Sequence, residues 1–183
     1  LQVMRAIPDA SGCLCIYILS PTGGVVQRDQ YDVDIVLEAG SHALVTTIAA
    51  TKVYKMPGAF AQQTLNIEVK EGVILEYVPD ALILFRDSDL RQSLNVKLHP
   101  GALCIVQDIV MGGRAARDEL LQFRRFKNLI QVEDEHGLLF LDSLDYSPKG
   151  EDLNKLGLLD GFICWASWSL LGDLSGWGID ATT

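Results

Sequence analysis

SPTGGVVQRDQYDVDIVLEAGSHALVTTIAATKVY, residues 20–54, carries the pattern from which the fold is read. Its centre, DVDIVLEAGSHALVTT (residues 32–47), alternates. Val33, Ile35 and Leu37 fall on one face of a strand, and Asp32, Asp34 and Val36 on the other. Gly40 supplies the positive φ of a tight turn, and a second apolar strand follows. Three further segments repeat the design: LNIEVKEGVILEYV (65–78), LNVKLHPGALCIVQD (94–108) and LIQVEDEHGLLFLDSL (129–144). Their turn glycines, Gly72, Gly101 and Gly137, recur roughly every thirty residues, a spacing that marks a stacked repeat.

This pattern predicts a mainly β protein. Its hairpins stack as antiparallel pairs into a β-sandwich or a coiled, helical β-sheet. A closed antiparallel barrel is the runner-up. Alternating βαβ units are disfavoured because no helix-length segment separates the strand pairs. One or two short helices are expected, over residues 114–126 after the Gly112-Gly113 break and within residues 152–171. The chain reads as one β domain, residues 1–163, followed by a weakly patterned tail, residues 164–183. It opens without Met in what reads as the middle of a fold, so a fragment incomplete at both ends is expected.

Composition narrows the function classes. Of 183 residues, 49% are hydrophobic and 21% charged, ordinary values for a globular chain long enough to bury a core. The net charge of -9 argues against a nucleic-acid partner, which needs clustered Lys and Arg to replace phosphate counterions. No apolar run reaches the ~18 residues of a membrane span, so no membrane partner is expected. Cys13 and Cys15 lie two apart on one strand and close no useful loop. With Cys104 and Cys164 they form no disulfide framework, which favours a reducing, cytoplasmic location.

Candidate chemistry is sparse. His42, His99 and His136 all lie at or beside the turns, without the local spacing of a metal cluster, and stacked turns offer the one route to gathering them. Cys13, Cys15 and Cys104 read as small buried hydrophobes, with a soft metal patch as the alternative. Neither Ser20 nor Ser167 sits in a nucleophile elbow, so catalysis is not expected. The carboxylates stand out, because Asp29, Glu76, Asp108 and Asp142 each lie in or beside an apolar strand. Asp108, between Ile105-Val106 and Ile109-Val110-Met111, needs a partner such as Arg114 or Arg117, a solvated face, or a water-filled passage. In such a passage carboxylates hold a divalent cation loosely enough to release it.

Five ordered blocks bear a family resemblance: LQVMR (1–5), SPTGGVV (20–26), LVTTIAATKVYKM (44–56), LEYVPDALILF (75–85) and QDIVMGGRAARDE (107–119). They resemble the urease accessory protein UreD (UreH) family over about 160 positions. Arg28 before Asp29 and Asp118 before Glu119 replace glycines usual in that family, which bears on local turn geometry. The resemblance implies a non-enzymatic scaffold that binds the urease apoprotein. It also implies two accessory partners, UreF and the GTPase UreG, and nickel in transit rather than a tightly bound cofactor. Asp29, Asp108 and Asp142 match acidic positions of the family and become candidates for lining a nickel passage, with Glu76 a further addition. The alternative is a β-sandwich binding module for a sugar or peptide. That module would expose an aromatic cluster, whereas Trp165, Trp168 and Trp177 all fall near the C-terminus.

Overall fold

The computed structural model describes residues 1–150 and 152–174. The chain coils in repeated units. Strands β1 (Gln2–Val3) and β2 (Ile7–Pro8) border the first coil, which runs through β3 (Leu14–Leu19), β4 (Gly24–Val25) and β5 (Gln30–Leu37). The second consists of β6 (His42–Thr47), β7 (Thr51–Val53) and β8 (Ala61–Val69). The third consists of β9 (Ile74–Tyr77), β10 (Leu82–Leu84) and β11 (Asp89–Leu98). The fourth opens with β12 (Leu103–Met111), passes through the small ribbon of β13 (Gly113–Arg114) and β14 (Glu119–Leu120), and ends in β15 (Arg125–Asp134). Strands β16 (Gly137–Tyr146) and β17 (Cys164–Gly172) follow.

Equivalent strands of successive coils pair in parallel and in register. β5, β8, β11 and β15 form one sheet, here sheet B. β3, β6, β9 and β12 run side by side in the other, sheet A, and the shorter row β4, β7 and β10 joins it at the far end of β12. The four coils, joined by three arcs, make a β-solenoid of about three turns, mainly β and essentially without helices among the described residues. Antiparallel strands border the last coil on both sheets: β16 pairs with β15, and β17 with β12. Cys164–Gly172 is thus a nine-residue strand at the head of the stretch expected to carry little pattern.

The coiled, helical sheet predicted from the repeat is present, but three of the four expected hairpins are not antiparallel pairs. At Gly40, Gly72 and Gly101 the two flanking strands lie in opposite sheets, and each finds its hydrogen-bond partners in the neighbouring coil. Strand, turn and strand look alike in sequence whether the strands pair or face each other. Here the apolar faces decide, because Leu37 packs across the interior with Ala43, and Val69 with Val73 and Leu75, in one core. These glycines have φ of 79, 66 and 68°, and the arcs stack, with Gly72 donating to the Pro100 carbonyl at 3.1 Å. Only β15 and β16, around Gly137, form a true hairpin among the four.

The helix expected over residues 114–126 contracts to one 3-10 turn, Ala115–Arg117. Asp118 and Leu121 adopt φ of 57 and 51°, which ends any helix. Phe123 and Phe126, both fully buried, pull the chain into the next coil. Residues 152–171 likewise form turns and then β17 rather than a helix. No helix among the described residues is long and apolar enough to cross a membrane.

Two apolar cores fill the interior. One gathers Leu37, Val45, Ile67, Leu75, Val96, Val106 and their neighbours near the arcs. The other gathers Val25, Val53, Met56, Leu84, Leu90, Val110, Phe123 and Phe126 at the opposite end of the coils. Buried Asp89 braces the second core. Arg124 Nε donates to Asp89 Oδ2 at 3.0 Å, while its other nitrogens donate to the Met56 carbonyl at 2.6 Å and to the Ala59 carbonyl.

Candidate functional site

The boundary between the two cores is polar. Along sheet B the inward positions form columns, one residue per coil, stacked about 4.8 Å apart. The column Ala61, Leu90, Phe126 is apolar, as are Val33, Leu65, Leu94, Ile130 and Ile35, Ile67, Val96, Val132. One column differs: Tyr31, Gln63, Gln92 and Asn128 stand in register on β5, β8, β11 and β15. Gln92 Nε2 donates to Asn128 Oδ1 at 2.9 Å, and Asn128, 2% exposed, donates from Nδ2 to Asp108 Oδ2 at 2.8 Å.

Sheet A explains why a polar column lies there. In the first three coils its strands break at this level, at residues 20–23, 48–50 and 78–81, where the row β3, β6, β9 gives way to β4, β7, β10. Breaks leave backbone groups that need partners. Thr46 Oγ1 donates to the Val78 carbonyl at 2.6 Å, the Asp80 amide donates to Thr47 Oγ1 at 2.8 Å, and Gln107 Nε2 donates to the Pro79 carbonyl at 3.2 Å. In the fourth coil β12 runs straight through, and Asp108 occupies the level of the break, between buried Val106 of one core and Val110 of the other. A cavity of about 130 Å³ lies between column and breaks, lined among others by Tyr31, Gln63, Gln92, Asn128, Thr47 and Asp108.

The four carboxylates singled out from sequence divide here. Asp108 lines the cavity, and burial, with the Asp142 charge adding, pushes its carboxyl up to about 6. Its partner is Asn128 rather than Arg114, whose guanidinium is held by both oxygens of Glu119 at 2.7 and 2.5 Å. Asp142 stands on β16 beside Ile130, one position from the polar column, where Leu144 is the residue beside Asn128; it lies outside the cavity lining and reaches Asp108 through its charge. Asp29 stands at the head of β5, outside the cavity lining. It accepts from the Val26 amide and from the Tyr31 hydroxyl, both at 2.9 Å, so Tyr31 links it to the column. Glu76 does not join them. It alternates with buried Leu75 and faces the outside of sheet A, where its Oε1 lies 2.6 Å from His42 Nε2. Burial and then the Asp108 charge keep the Tyr77 hydroxyl, also on the cavity wall, well above its ordinary range.

The histidines do not gather, although the arcs stack. His42 pairs with Glu76, His99 with Glu68 at 2.7 Å, and His136 with Glu135 at 3.5 Å. Cys104 is fully buried in the first core, where burial pushes its thiol up to about 12, and it stands apart from Cys13. Trp165 packs inward on Tyr146 and Phe126, while Trp168 is exposed. Trp177 and the rest of residues 175–183 lie outside the described residues.

Sequence reasoning missed Gln63, Gln92 and Asn128. A signal for them exists: Tyr31, Gln63, Gln92 and Asn128 each stand nine residues before a turn glycine, Gly40, Gly72, Gly101 and Gly137. Thr47, Pro79 and Asp108 each stand seven residues after one.

Fold and site together define, among the described residues, a coiled β-structure with a polar seam running between two apolar cores. The chain belongs to the UreD urease accessory protein family, whose model matches residues 1–181. Curated relatives, each described as urease accessory protein UreD, agree. That of Haloarcula marismortui is 37% identical over 165 residues, covering 90% of this chain and 54% of the relative. That of Paenarthrobacter aurescens is 34% identical over 167 residues, 88% and 58%. That of Lachnoclostridium phytofermentans is 33% identical over 148 residues, 81% and 54%. The chain spans a little over half the length of these relatives.

Proposed function

We propose that this chain forms the β-solenoid body of a cytoplasmic urease maturation scaffold. It binds the urease apoprotein together with UreF and the GTPase UreG, and assists incorporation of nickel into the urease active site. Nickel is cargo here, not a resident cofactor, and the chain itself carries out no catalysis. The observation that carries this reading is the polar column between two apolar cores, with Asp108 at its last coil, Asp142 close enough for its charge to act on Asp108, and Asp29 reached through Tyr31 at its first.

Such a column suits transit. Amides and hydroxyls replace water around a moving cation at modest cost, and isolated carboxylates attract it without holding it. A ring of converging imidazoles or thiolates would bind too tightly to release it. Asp29, Asp108 and Asp142 are assigned to the passage. Glu76, on the outside of sheet A, is assigned no part in it.

The test is co-purification. The tagged chain is co-expressed with the urease structural subunits, UreF and UreG, and the expected result is recovery of urease with the tag. A folded chain that recovers none of these partners contradicts the scaffold reading.

A further inference from the structure

Three donor side chains of different chemistry meet on the outer face of sheet A, on the opposite side of that sheet from the polar column. Cys13 immediately precedes β3, His42 opens β6 and Glu76 lies in β9. The β3–β6 register sets Leu14 beside Ala43, and so Cys13 beside His42; the β6–β9 register sets Leu44 beside Glu76. One ligand atom from each of the three lies within 4.8 Å of the others. Cys13 is 4% exposed, while the His42 and Glu76 side chains are about one-third open to solvent, which leaves a path in.

From this arrangement we infer a mononuclear transition-metal site of the zinc class, with Cys13 Sγ, a His42 ring nitrogen and a Glu76 carboxylate oxygen as ligands and a fourth position open to water.

The donor set fits that class of ion. Thiolate, imidazole and carboxylate together suit a borderline-soft divalent cation, whereas calcium and magnesium take oxygen alone. A tetrahedral ion with bonds of about 2.0–2.3 Å holds its donors roughly 3.3–3.8 Å apart. The cluster, whose ligand atoms all lie within 4.8 Å of one another, reaches that geometry when Glu76 swings off its 2.6 Å contact with His42 and the thiol draws in to that range. The metal then takes the place of the direct contact between His42 and Glu76.

The scaffold around the thiol is set. Asp9 Oδ1 accepts from the Cys13 amide at 3.0 Å, and the Asp9 amide donates to the Cys13 carbonyl at 2.9 Å, fixing the loop that delivers the sulfur. Burial, followed by the nearby Glu76 charge, raises the Cys13 thiol above its ordinary value, so without metal the sulfur keeps its proton. A divalent cation reverses both effects, and binding releases that proton. The site joins the first three coils across their outer face, a role separate from cargo transit, and it does not rest on the nickel reading.

Zinc binding by the full chain is measured by chelator competition, and the cobalt-loaded chain by absorption spectroscopy. One equivalent of Zn²⁺ is expected. The Co²⁺ form is expected to show a thiolate-to-metal charge-transfer band with intense visible bands of tetrahedral coordination. Cys13→Ser abolishes that band, and His42→Ala and Glu76→Gln each weaken zinc binding by about tenfold or more. Cys15→Ser and Asp108→Asn leave both readouts unchanged. A Co²⁺ spectrum lacking the thiolate band in the unaltered chain overturns the site, as does equal zinc affinity in His42→Ala. The His42 and Glu76 variants alter partly exposed side chains, so they decide the matter even where Cys13→Ser fails to fold.

Discussion

Asp108 shows how a single residue departs from the rule that buried carboxylates are paired with cations. Its partner is a neutral amide, and its proton affinity is raised toward pH 6. In the unfolded chain it loses its proton near pH 4. Between those values the folded state holds a proton that the unfolded state has released, so this residue's contribution to stability falls as pH rises from 4 to 6 and stays low above. Asp108→Asn, which keeps the hydrogen bond from Asn128, is expected to stabilise the chain by about 1–2 kcal/mol at pH 7.5 and to change it little at pH 4, as read by denaturant unfolding. Equal stabilisation at both values would show that the carboxylate does not carry the effect. Arg124 poses the opposite case, because its removal leaves the buried Asp89 charge only the longer contact with Arg91 at 3.6 Å and takes the donor from two backbone carbonyls. Arg124→Ala is expected to cost about 3 kcal/mol, measured the same way. A cost under 1 kcal/mol would mean that water takes over the guanidinium's role.

Among the elements, the strand with its glycine arc is the unit that repeats, and most of it is legible in the chain. The alternation of Val33, Ile35 and Leu37 against Asp32 and Asp34 fixes which face turns inward, and the structure buries that face. Which strand pairs with which is not legible locally, since parallel partners are supplied by residues a coil away. The same limit hid Gln63, Gln92 and Asn128: each looks like an ordinary polar residue in its own strand, and only their common distance from Gly72, Gly101 and Gly137 makes them a column. The Arg114–Glu119 pair shows a different limit, because a charge-rich stretch that suits a helix closes instead into a tight ribbon. Arc glycines offer a direct check. Gly72→Val places a β-branched residue at φ 66° and is expected to destabilise the chain by about 2 kcal/mol. An unchanged denaturation midpoint would mean that the arc can adopt another turn.

For the whole molecule, a solenoid is held by contacts between neighbouring coils, so stability varies along its axis. The central coils are sandwiched on both sides, with β8 and β11 each paired along nearly their full length on two edges. β1 and β2 are two-residue strands with exposed side chains. Hydrogen exchange is expected to protect β8, β11 and β12 most and β1 and β2 least; uniform protection would contradict a coil-by-coil stack. The same architecture gives the polar column its direction, one residue per coil, from Tyr31 at the first to Asn128 and Asp108 at the last. The measurement that bears most directly on that column is the nickel content of urease matured with the Asp108→Ala/Asp142→Ala chain, compared with urease matured by the unaltered chain. With co-purification intact, a fall of about tenfold in nickel per urease active site is expected, since removing both charges costs the moving cation about 1.4 kcal/mol or more. Undiminished nickel in urease recovered with that folded double variant would contradict a passage through the solenoid.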